Sequence, residues 1–442
     1  MTDLLAARSQ MAMSLGFHMI FATIGIGMPL LMVIAEGLFL RTGDEHYLVL
    51  AKRWAKGTAV MFAVGAVSGT VLSFELGLLW PGFMEYAGPI IGMPFSLEGF
   101  AFFFEAIFLG VYLYGWSRVK PLVHWLTGVG VWLSGTLSGV FVVAANSWMN
   151  TPTGFTLDEA GNVTSVDPLA AMFNPAWFGQ TLHMTVAAFL ATGVLVAGIH
   201  AWMLLRDPTN DFHRKALGIA FSVGAVFTLL QPLTGHTVGE VLAHTQPVKL
   251  AAMEAHWETT RGAAFTIGGW PDEEAEETHW AIEVPYLLSF LAYGDIDAEV
   301  MGLKDVPPED RPPVAVTHLA YQIMLGTAGV MGAVAVLGGA LWGWRRRLPL
   351  DRWFLWLLVI NAPMGMIGIE AGWTATEVGR QPWVIQGIMR TSEAVSPMPG
   401  LVVPFLTFSA LYLFLGVITL ALLRRQFDHS PHLEVKESTD AA

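Results

Sequence analysis

The sequence predicts an all-α membrane protein with about nine transmembrane helices. Of its 442 residues, 54% are apolar and only 13% are charged, whereas a soluble domain carries about a quarter charged residues. The apolar residues form long runs rather than short alternating strands, which excludes an outer-membrane barrel. Cysteine is absent, so disulfides and cysteine-bound metal centres are excluded. The net charge of −13 argues against nucleic-acid binding.

Nine apolar runs are long enough to cross about 30 Å of hydrocarbon. In chain order they cover residues 11–40, 57–80, 92–116, 124–148, 178–205, 216–236, 316–344, 353–373 and 401–424. The first run is too long for a signal peptide and lacks a small-residue cleavage site, so we expect it to be retained. The predicted parts are membrane helices 1–6 at 1–236, a long loop at 237–315, membrane helices 7–9 at 316–425 and a polar tail at 426–442.

The basic residues predict the orientation of these helices. Lys and Arg follow the first, third, fifth, seventh and ninth runs, and the other connections contain few of them. Because basic connections stay in the cytoplasm, we expect the N-terminus outside and the C-terminus and tail in the cytoplasm. The long loop is then on the outer side. Its net charge is −11, and we expect the acidic run 272–277 to be solvated and the stretch 248–259 to form a short helix.

Five side chains able to bind iron fall near the outer ends of five runs under this orientation. They are His18, Glu98, His183, Met324 and Glu377. Such residues are costly within a bilayer and usually mark function, although each alone could serve packing or a structural hydrogen bond. Their common depth favours one shared site. Isolated ligands on separate helices suit haem better than zinc, because no pair has the i, i+4 spacing of a helical zinc site.

Two pairs of carboxyl residues are separated by seven positions, namely Glu98 with Glu105 and Glu370 with Glu377. Seven residues make two helical turns, so each pair shares a face with about 10.5 Å between its members. Glu105 is then the deeper member and could pass protons, while a hydrogen-bonded structural acid is the alternative. Three other histidines are expected only to bond neighbouring helices: His124, His200 and His318.

Two longer motifs are more specific than these single residues. Segment 372–383 reads Gly-Trp-Thr-Ala-Thr-Glu-Val-Gly-Arg-Gln-Pro-Trp, and segment 246–255 reads Gln-Pro-Val-Lys-Leu-Ala-Ala-Met-Glu-Ala. The first resembles the signature of subunit I of the cytochrome bd quinol oxidases, and the second resembles the start of that family's quinol-binding loop. The family's order is also followed by Arg8, His18, Glu98-Gly99, Asn146-Ser147-Trp148-Met149, His183 and Gln322-Ile323-Met324. The resemblance extends from the first run to the ninth.

The resemblance implies three haems, namely a low-spin haem b, a high-spin haem b and a third haem that is d or b. His183 and Met324 would be the axial ligands of the low-spin haem. His18, Glu98 and Glu377 would hold the two high-spin haems of the oxygen-reducing site.

Other positions acquire roles from the same resemblance. Arg8 and Arg380 would neutralise haem propionates, and Trp373 would either stack beside a haem or pack in the core. Lys249 and Glu254 would contact quinol in the loop, away from the ligand-bearing runs. A proton path from the cytoplasm would be marked by Glu105, Ser138 and Asn146, and the catalytic carboxyl groups would be Glu98, Glu105 and Glu377.

The implied activity is that of a quinol:oxygen oxidoreductase in the bacterial inner membrane. Quinol would be oxidised outside and oxygen reduced to water with cytoplasmic protons, which builds a proton gradient without a pump. The resemblance implies a second multi-span subunit and one or two single-span subunits, and it leaves ubiquinol and menaquinol open. The alternatives are a membrane cytochrome b without oxygen chemistry and a cofactor-free proton-coupled transporter.

The chain departs from the family pattern at several positions. Gln322 stands where many relatives have arginine, two residues before Met324, which leaves open how the charge of the low-spin haem is balanced. Ser117 stands where some relatives have aspartate, so the start of the proton path can differ. The loop of about 80 residues resembles the short-loop subgroup, and segment 73–81 resembles the cyanide-insensitive branch.

Overall fold

The fold was obtained as a computed structural model, which describes residues 1–159, 161 and 163–428. Within this part of the chain, nine helical segments are long and apolar enough to cross a membrane, which confirms the predicted fold class. Residues 429–442, most of the predicted polar tail, lie outside the described residues. The predicted orientation of the termini stays a prediction.

The elements follow one another along the chain in three groups. The first group is α1 (Asp3–Thr42), α2 (Glu45–Leu79), α3 (Pro81–Tyr114), α4 (Pro121–Asn150), β1 (Phe155–Leu157), β2 (Val163–Val166), α5 (Pro168–Met172), α6 (Trp177–Arg206) and α7 (Asp211–Thr245). The long loop holds α8 (Pro247–Glu254), β3 (Thr260–Arg261), β4 (Phe265–Asp272), β5 (Glu277–Val284), α9 (Leu287–Tyr293) and β6 (Glu299–Val300). The last group is α10 (Val314–Arg345), α11 (Arg352–Asn361), α12 (Met364–Val378), β7 (Trp383–Ile385), β8 (Met389–Arg390), α13 (Thr391–Ala394) and α14 (Val402–Asp428).

One end of the bundle carries the long loop, and we call it the loop end. At this end several helices extend beyond the predicted apolar runs. Helix α1 begins at Asp3 rather than at 11, α3 at Pro81 rather than at 92, and α7 ends at Thr245 rather than at 236. The physical reason is that polar residues end a hydrophobic run without ending the backbone ladder of a helix. A residue that lies early in an apolar run therefore lies nearer the middle of its helix in the structure than the sequence predicted.

The eighth run is broken in the middle. Helix α11 ends at Asn361 and α12 begins at Met364, because Pro363 has no N–H to donate to the helical ladder. Gly198 of α6 packs against this break, where a Cβ atom would lie 2.4 Å from the Cβ of Ala362. The close approach ties α6 to the helix pair that ends in the signature motif.

The loop is built around an antiparallel hairpin of β4 and β5, in which Phe265 pairs with Val284 and Asp272 with Glu277. The acidic run forms its tip, with Glu273, Glu274 and Glu277 exposed as expected. The predicted helix at 248–259 is shorter in the structure, because α8 ends at Glu254 and Ala255 adopts a left-handed conformation with φ 48°.

The end of the bundle opposite the loop is tied by buried polar pairs between helices. His124 Nδ1 of α4 lies 2.7 Å from Glu36 Oε1 of α1, and His124 Nε2 lies 2.9 Å from the Tyr112 carbonyl oxygen. The Nδ1 atoms of His200 and His213 are 2.9 Å apart, which joins α6 to α7. His124 and His200 therefore bond neighbouring helices, as the sequence predicted.

Candidate functional site

His183 enters the bundle from the first turns of α6 and packs against α7. Its Nδ1 lies 3.1 Å from Thr234 Oγ1, and Gln231 Nε2 lies 3.1 Å from each ring nitrogen. A Cβ on Gly235 would lie 3.4 Å from His183 Cε1, so the missing side chain leaves room for the imidazole. Three residues of one face of α7 thus set the orientation of the ring, as outer partners of a metal-ligating histidine do.

Met324 lies on α10 opposite Gly372, the first residue of segment 372–383. A Cβ on Gly372 of α12 would come within 2.9 Å of Met324 Sδ. The thioether therefore reaches the α12 backbone only because position 372 is glycine. Trp373, the next residue, is half-buried on the same helix.

His18 is half-buried on α1 and faces α2. Its Nδ1 lies 3.0 Å from the hydroxyl of Ser68, which itself donates to the Val64 carbonyl oxygen at 2.9 Å. A Cβ on Gly69 would lie 3.0 Å from His18 Cε1. Because the Ser68 hydroxyl hydrogen is already used, it can accept from Nδ1–H and leave Nε2 free to bind a metal.

Glu377 and Arg380 form an ion pair at the end of α12, with Arg380 NH2 2.5 Å from Glu377 Oε2. The amide of Asn146 donates to Glu377 Oε1 at 2.5 Å. Arg380 is buried, and its Nε and NH1 atoms have no hydrogen-bond partner among the described residues. A buried guanidinium with two unused donor positions is suited to an anionic group of a ligand.

Glu98 and Glu105 both face α4, as their spacing predicted. Ser138 donates to Glu98 Oε1 at 3.0 Å. Glu105 is buried, and a Cβ on Gly135 would lie 3.0 Å from its Oε1. The two carboxyl groups thus follow one interface between α3 and α4.

The five predicted iron ligands do not share one depth, and this expectation was wrong. Ser138 contacts Glu98 and Asn146 contacts Glu377, and their separation of eight positions along α4 spans about 12 Å. Glu370 packs against Gly16, two residues before His18. Since Glu370 is two turns deeper than Glu377, His18 also lies about 10 Å deeper. The error arose because α1 and α3 begin two to three turns before their apolar runs.

Lys249 and Glu254 are buried, with 4% and 1% of their surfaces exposed. Lys249 Nζ donates to Asn150 Oδ1 at 2.6 Å and to Gln246 Oε1 at 3.2 Å. Its Cγ lies 3.1 Å from the position that a Cβ on Gly379 would take. The two residues therefore pack against the ligand-bearing helices, which corrects the expectation that they lie away from them.

Burial shifts the pKa values of Lys249 and Glu254 toward neutrality. Desolvation lowers the pKa of Lys249 to about 7, the charge of Arg380 adds to this effect, and Glu377 opposes it. Desolvation raises the pKa of Glu254 to about 7, against hydrogen bonds from the Thr266 amide and Tyr321. Near neutral pH, both side chains are thus poised to gain or lose a proton.

A series of hydrogen bonds connects Lys249 in the loop to Glu377 and Arg380 at the end of α12. It runs from Lys249 to Asn150, from Asn150 Nδ2 to Asn146 Oδ1 at 3.3 Å, from Asn146 to Glu377, and from Glu377 to Arg380.

Sequence reasoning missed Asn150, although it directly follows the Asn146–Met149 motif. It also missed Ser68, Gln231 and Thr234, since nothing in their spacing indicates a histidine partner. Arg8 is exposed on α1.

A family model described as cytochrome bd terminal oxidase subunit I matches residues 6–431. This chain belongs to that family. It is 38% identical to a putative cytochrome bd menaquinol oxidase subunit I of Bacillus subtilis (strain 168), covering 98% of both chains. It is 33% identical to the cytochrome bd ubiquinol oxidase subunit 1 of the same organism, over all of this chain and 97% of that protein.

A solved structure agrees with the sequence matches. The bd oxidase of Geobacillus thermodenitrificans has a TM-score of 0.91 and 38% identity over 97% of this chain and 99% of that one. The chain is therefore a multi-pass protein of the bacterial inner membrane and belongs to respiratory electron transport. Its family implies haem cofactors, a quinol substrate and a second subunit, as the sequence predicted.

The residues fit the haem that the family implies. His183, Met324 and His18 are nitrogen and sulfur donors of the kinds that bind haem iron. Gly235, Gly372 and Gly69 each leave the space beside one of them free of a side chain. The unused Nε and NH1 atoms of Arg380 match the carboxylates that haem carries.

Proposed function

We propose that this chain is the haem-bearing subunit of an electrogenic quinol:oxygen oxidoreductase. Quinol is oxidised on the outer side, and oxygen is reduced to water with protons from the cytoplasm, so a proton gradient forms without a pump. The supporting observation is the hydrogen-bonded series from Lys249 to Arg380, which joins the quinol loop directly to the region of Glu377.

In this proposal, His183 and Met324 hold a low-spin haem b. His18 and Glu377 belong to different high-spin haems, because they lie at different depths, and Glu98 lies near the depth of His18. One of these haems is b and the other is d or b. The haems supply electron transfer and oxygen reduction when bound. Arg380 and Arg8 pair with their propionates, and Trp373 packs beside them.

Glu254 and Lys249 act on quinol in the proposed reaction. The carboxylate form of Glu254 accepts a hydroxyl proton of quinol, which a buried acid with a pKa of about 7 can do at neutral pH. Protonated Lys249 has three N–H groups and uses two of them on Asn150 and Gln246. The third is directed to a quinol oxygen. Glu254 releases this proton to the outer side and then accepts the second hydroxyl proton, while Lys249 keeps its own proton.

Glu105, Ser138 and Glu98 form one part of the proposed proton path. Glu105 lies about 10.5 Å from Glu98 toward the end opposite the loop, and Ser138 bonds Glu98 directly. Asn146 lies at the loop end beside Glu377, so we place it after the acids rather than before them. A second multi-span subunit and one or two single-span subunits complete the enzyme in the bilayer.

Replacement of the low-spin ligands tests this function. His183→Ala or Met324→Leu should remove the low-spin haem b absorption of the purified oxidase while high-spin haem absorption persists. Quinol-driven oxygen uptake should fall at least 100-fold, because removing a ligand disables the electron acceptor. An unaltered low-spin spectrum in either variant contradicts the ligand assignment. A colourless wild-type protein would favour the transporter, and haem without oxygen uptake would favour the electron-transfer cytochrome.

A further inference from the structure

The side chain of Gln322 binds the edge of the loop hairpin. Its Oε1 accepts from the Gly268 amide at 2.9 Å, and its Nε2 donates to the Thr266 carbonyl oxygen at 2.8 Å. An amide that both accepts from and donates to one strand imitates the backbone of a neighbouring strand. Strand β4 is thereby attached to α10 two residues before Met324.

His318, one helical turn earlier, binds the same hairpin from the same face of α10. It is fully buried, with Nε2 2.8 Å from the Gly268 carbonyl oxygen and Nδ1 2.8 Å from the Met253 carbonyl oxygen. Met253 directly precedes Glu254 at the end of α8. His318 therefore joins the end of α8 and strand β4 to one helix, whereas the sequence led us to expect only a bond to a neighbouring helix.

The backbone of Thr266 connects this attachment to Glu254. Its amide donates to Glu254 Oε2 at 3.0 Å, while its carbonyl oxygen accepts from Gln322 Nε2. Both backbone groups of one residue are thus used, one on the carboxyl of the loop and one on α10. The position of the amide that faces Glu254 depends on Gln322.

We infer that Gln322 is a positioning residue of the quinol site, which holds the Thr266 amide against Glu254 and fixes the loop to the helix that carries Met324. This inference rests on the proposed function, because it takes Glu254 as the quinol carboxyl group. Gln322 supplies this attachment through an uncharged side chain that both donates and accepts.

Gln322→Met tests the inference, because methionine keeps the length of the side chain and removes both hydrogen bonds. The KM for quinol should rise roughly tenfold, the change expected from one to two lost hydrogen bonds. Oxygen uptake driven by an artificial one-electron donor and the low-spin haem absorption should stay at wild-type values. Gln322→Glu keeps an acceptor for the Gly268 amide, so its KM for quinol should lie between those of the wild type and Gln322→Met. Ile323→Met at the exposed neighbouring position is the matched control.

Hydrogen exchange separates this inference from the proposed function. In Gln322→Met the amide of Gly268 should exchange at least tenfold faster than in wild type and in Ile323→Met, whatever the substrate. Unchanged exchange, or an unchanged KM, overturns the inference. Equal loss of quinol-driven and donor-driven uptake also overturns it, because Gln322 would then act on the haem. Faster exchange in an enzyme whose wild type does not oxidise quinol instead contradicts the proposed function.

Discussion

Glu105 is buried between α3 and α4, where Gly135 provides the space for its carboxyl group. We expect Glu105→Gln to slow oxygen turnover at least 100-fold while haem content and reduction of the low-spin haem by quinol persist. The reason is that an amide keeps the shape and hydrogen bonds of the acid but cannot release a proton at neutral pH. Steady-state oxygen consumption, normalised to haem, measures the effect.

Two comparisons make the Glu105 experiment specific. Glu105→Asp retains an acid that is one methylene shorter and should keep part of the rate. Glu85→Gln removes an exposed carboxyl of the same helix and should leave turnover unchanged. Near-normal turnover of Glu105→Gln would show that the residue only orders its surroundings.

The pKa values of Glu254 and Lys249 predict a bell-shaped pH dependence for quinol oxidation. Below about pH 7, Glu254 becomes neutral and loses its capacity to accept a proton, because burial raises its pKa to about 7. Above about pH 7, Lys249 loses its charge, because burial lowers its pKa to about 7. The measurement is kcat/KM for quinol on both sides of pH 7. Glu254→Gln should lose the acidic limb together with most of the rate, and donor-driven oxygen uptake should lack this profile.

At the level of elements, the hydrophobic runs predicted which segments are helices but not where the helices end. A run ends where side chains meet water, whereas α1, α3 and α7 continue as long as their backbone hydrogen bonds do. The depths of His18 and Glu98 were misplaced for this reason. Spacing along one helix was more reliable, because a seven-residue separation fixes the shared face of Glu98 and Glu105 whatever the helix boundary.

Contacts between elements distant in sequence could not be predicted. Lys249 touches Asn150, and Gln322 touches Gly268, through contacts across 99 and 54 positions. Only the folded loop brings these residues together, since neither helical nor strand periodicity relates them. The motifs identified Lys249 and Glu254, but their burial against the membrane helices came from the structure.

The topology of the whole molecule can be tested because the chain contains no cysteine. Single cysteines at Trp280, which is 87% exposed on the hairpin, and at the exposed Arg346 should leave the fold intact. A membrane-impermeant thiol reagent should label Trp280→Cys in intact spheroplasts and Arg346→Cys only after lysis, because basic residues follow the seventh run. The cysteine-free parent is the control, and the reverse labelling pattern would invert the predicted orientation.

The series of hydrogen bonds from Lys249 to Arg380 has a thermodynamic consequence. Any coupling free energy between two binding events at the ends of one buried polar network is reciprocal. If occupation of the quinol pocket alters the charge balance at Glu377, then a ligand bound near Glu377 must alter quinol affinity by the same factor. Inhibitors that act at the two ends of this network would then not be independent, and the departure of their combined effect from a simple product would measure the coupling.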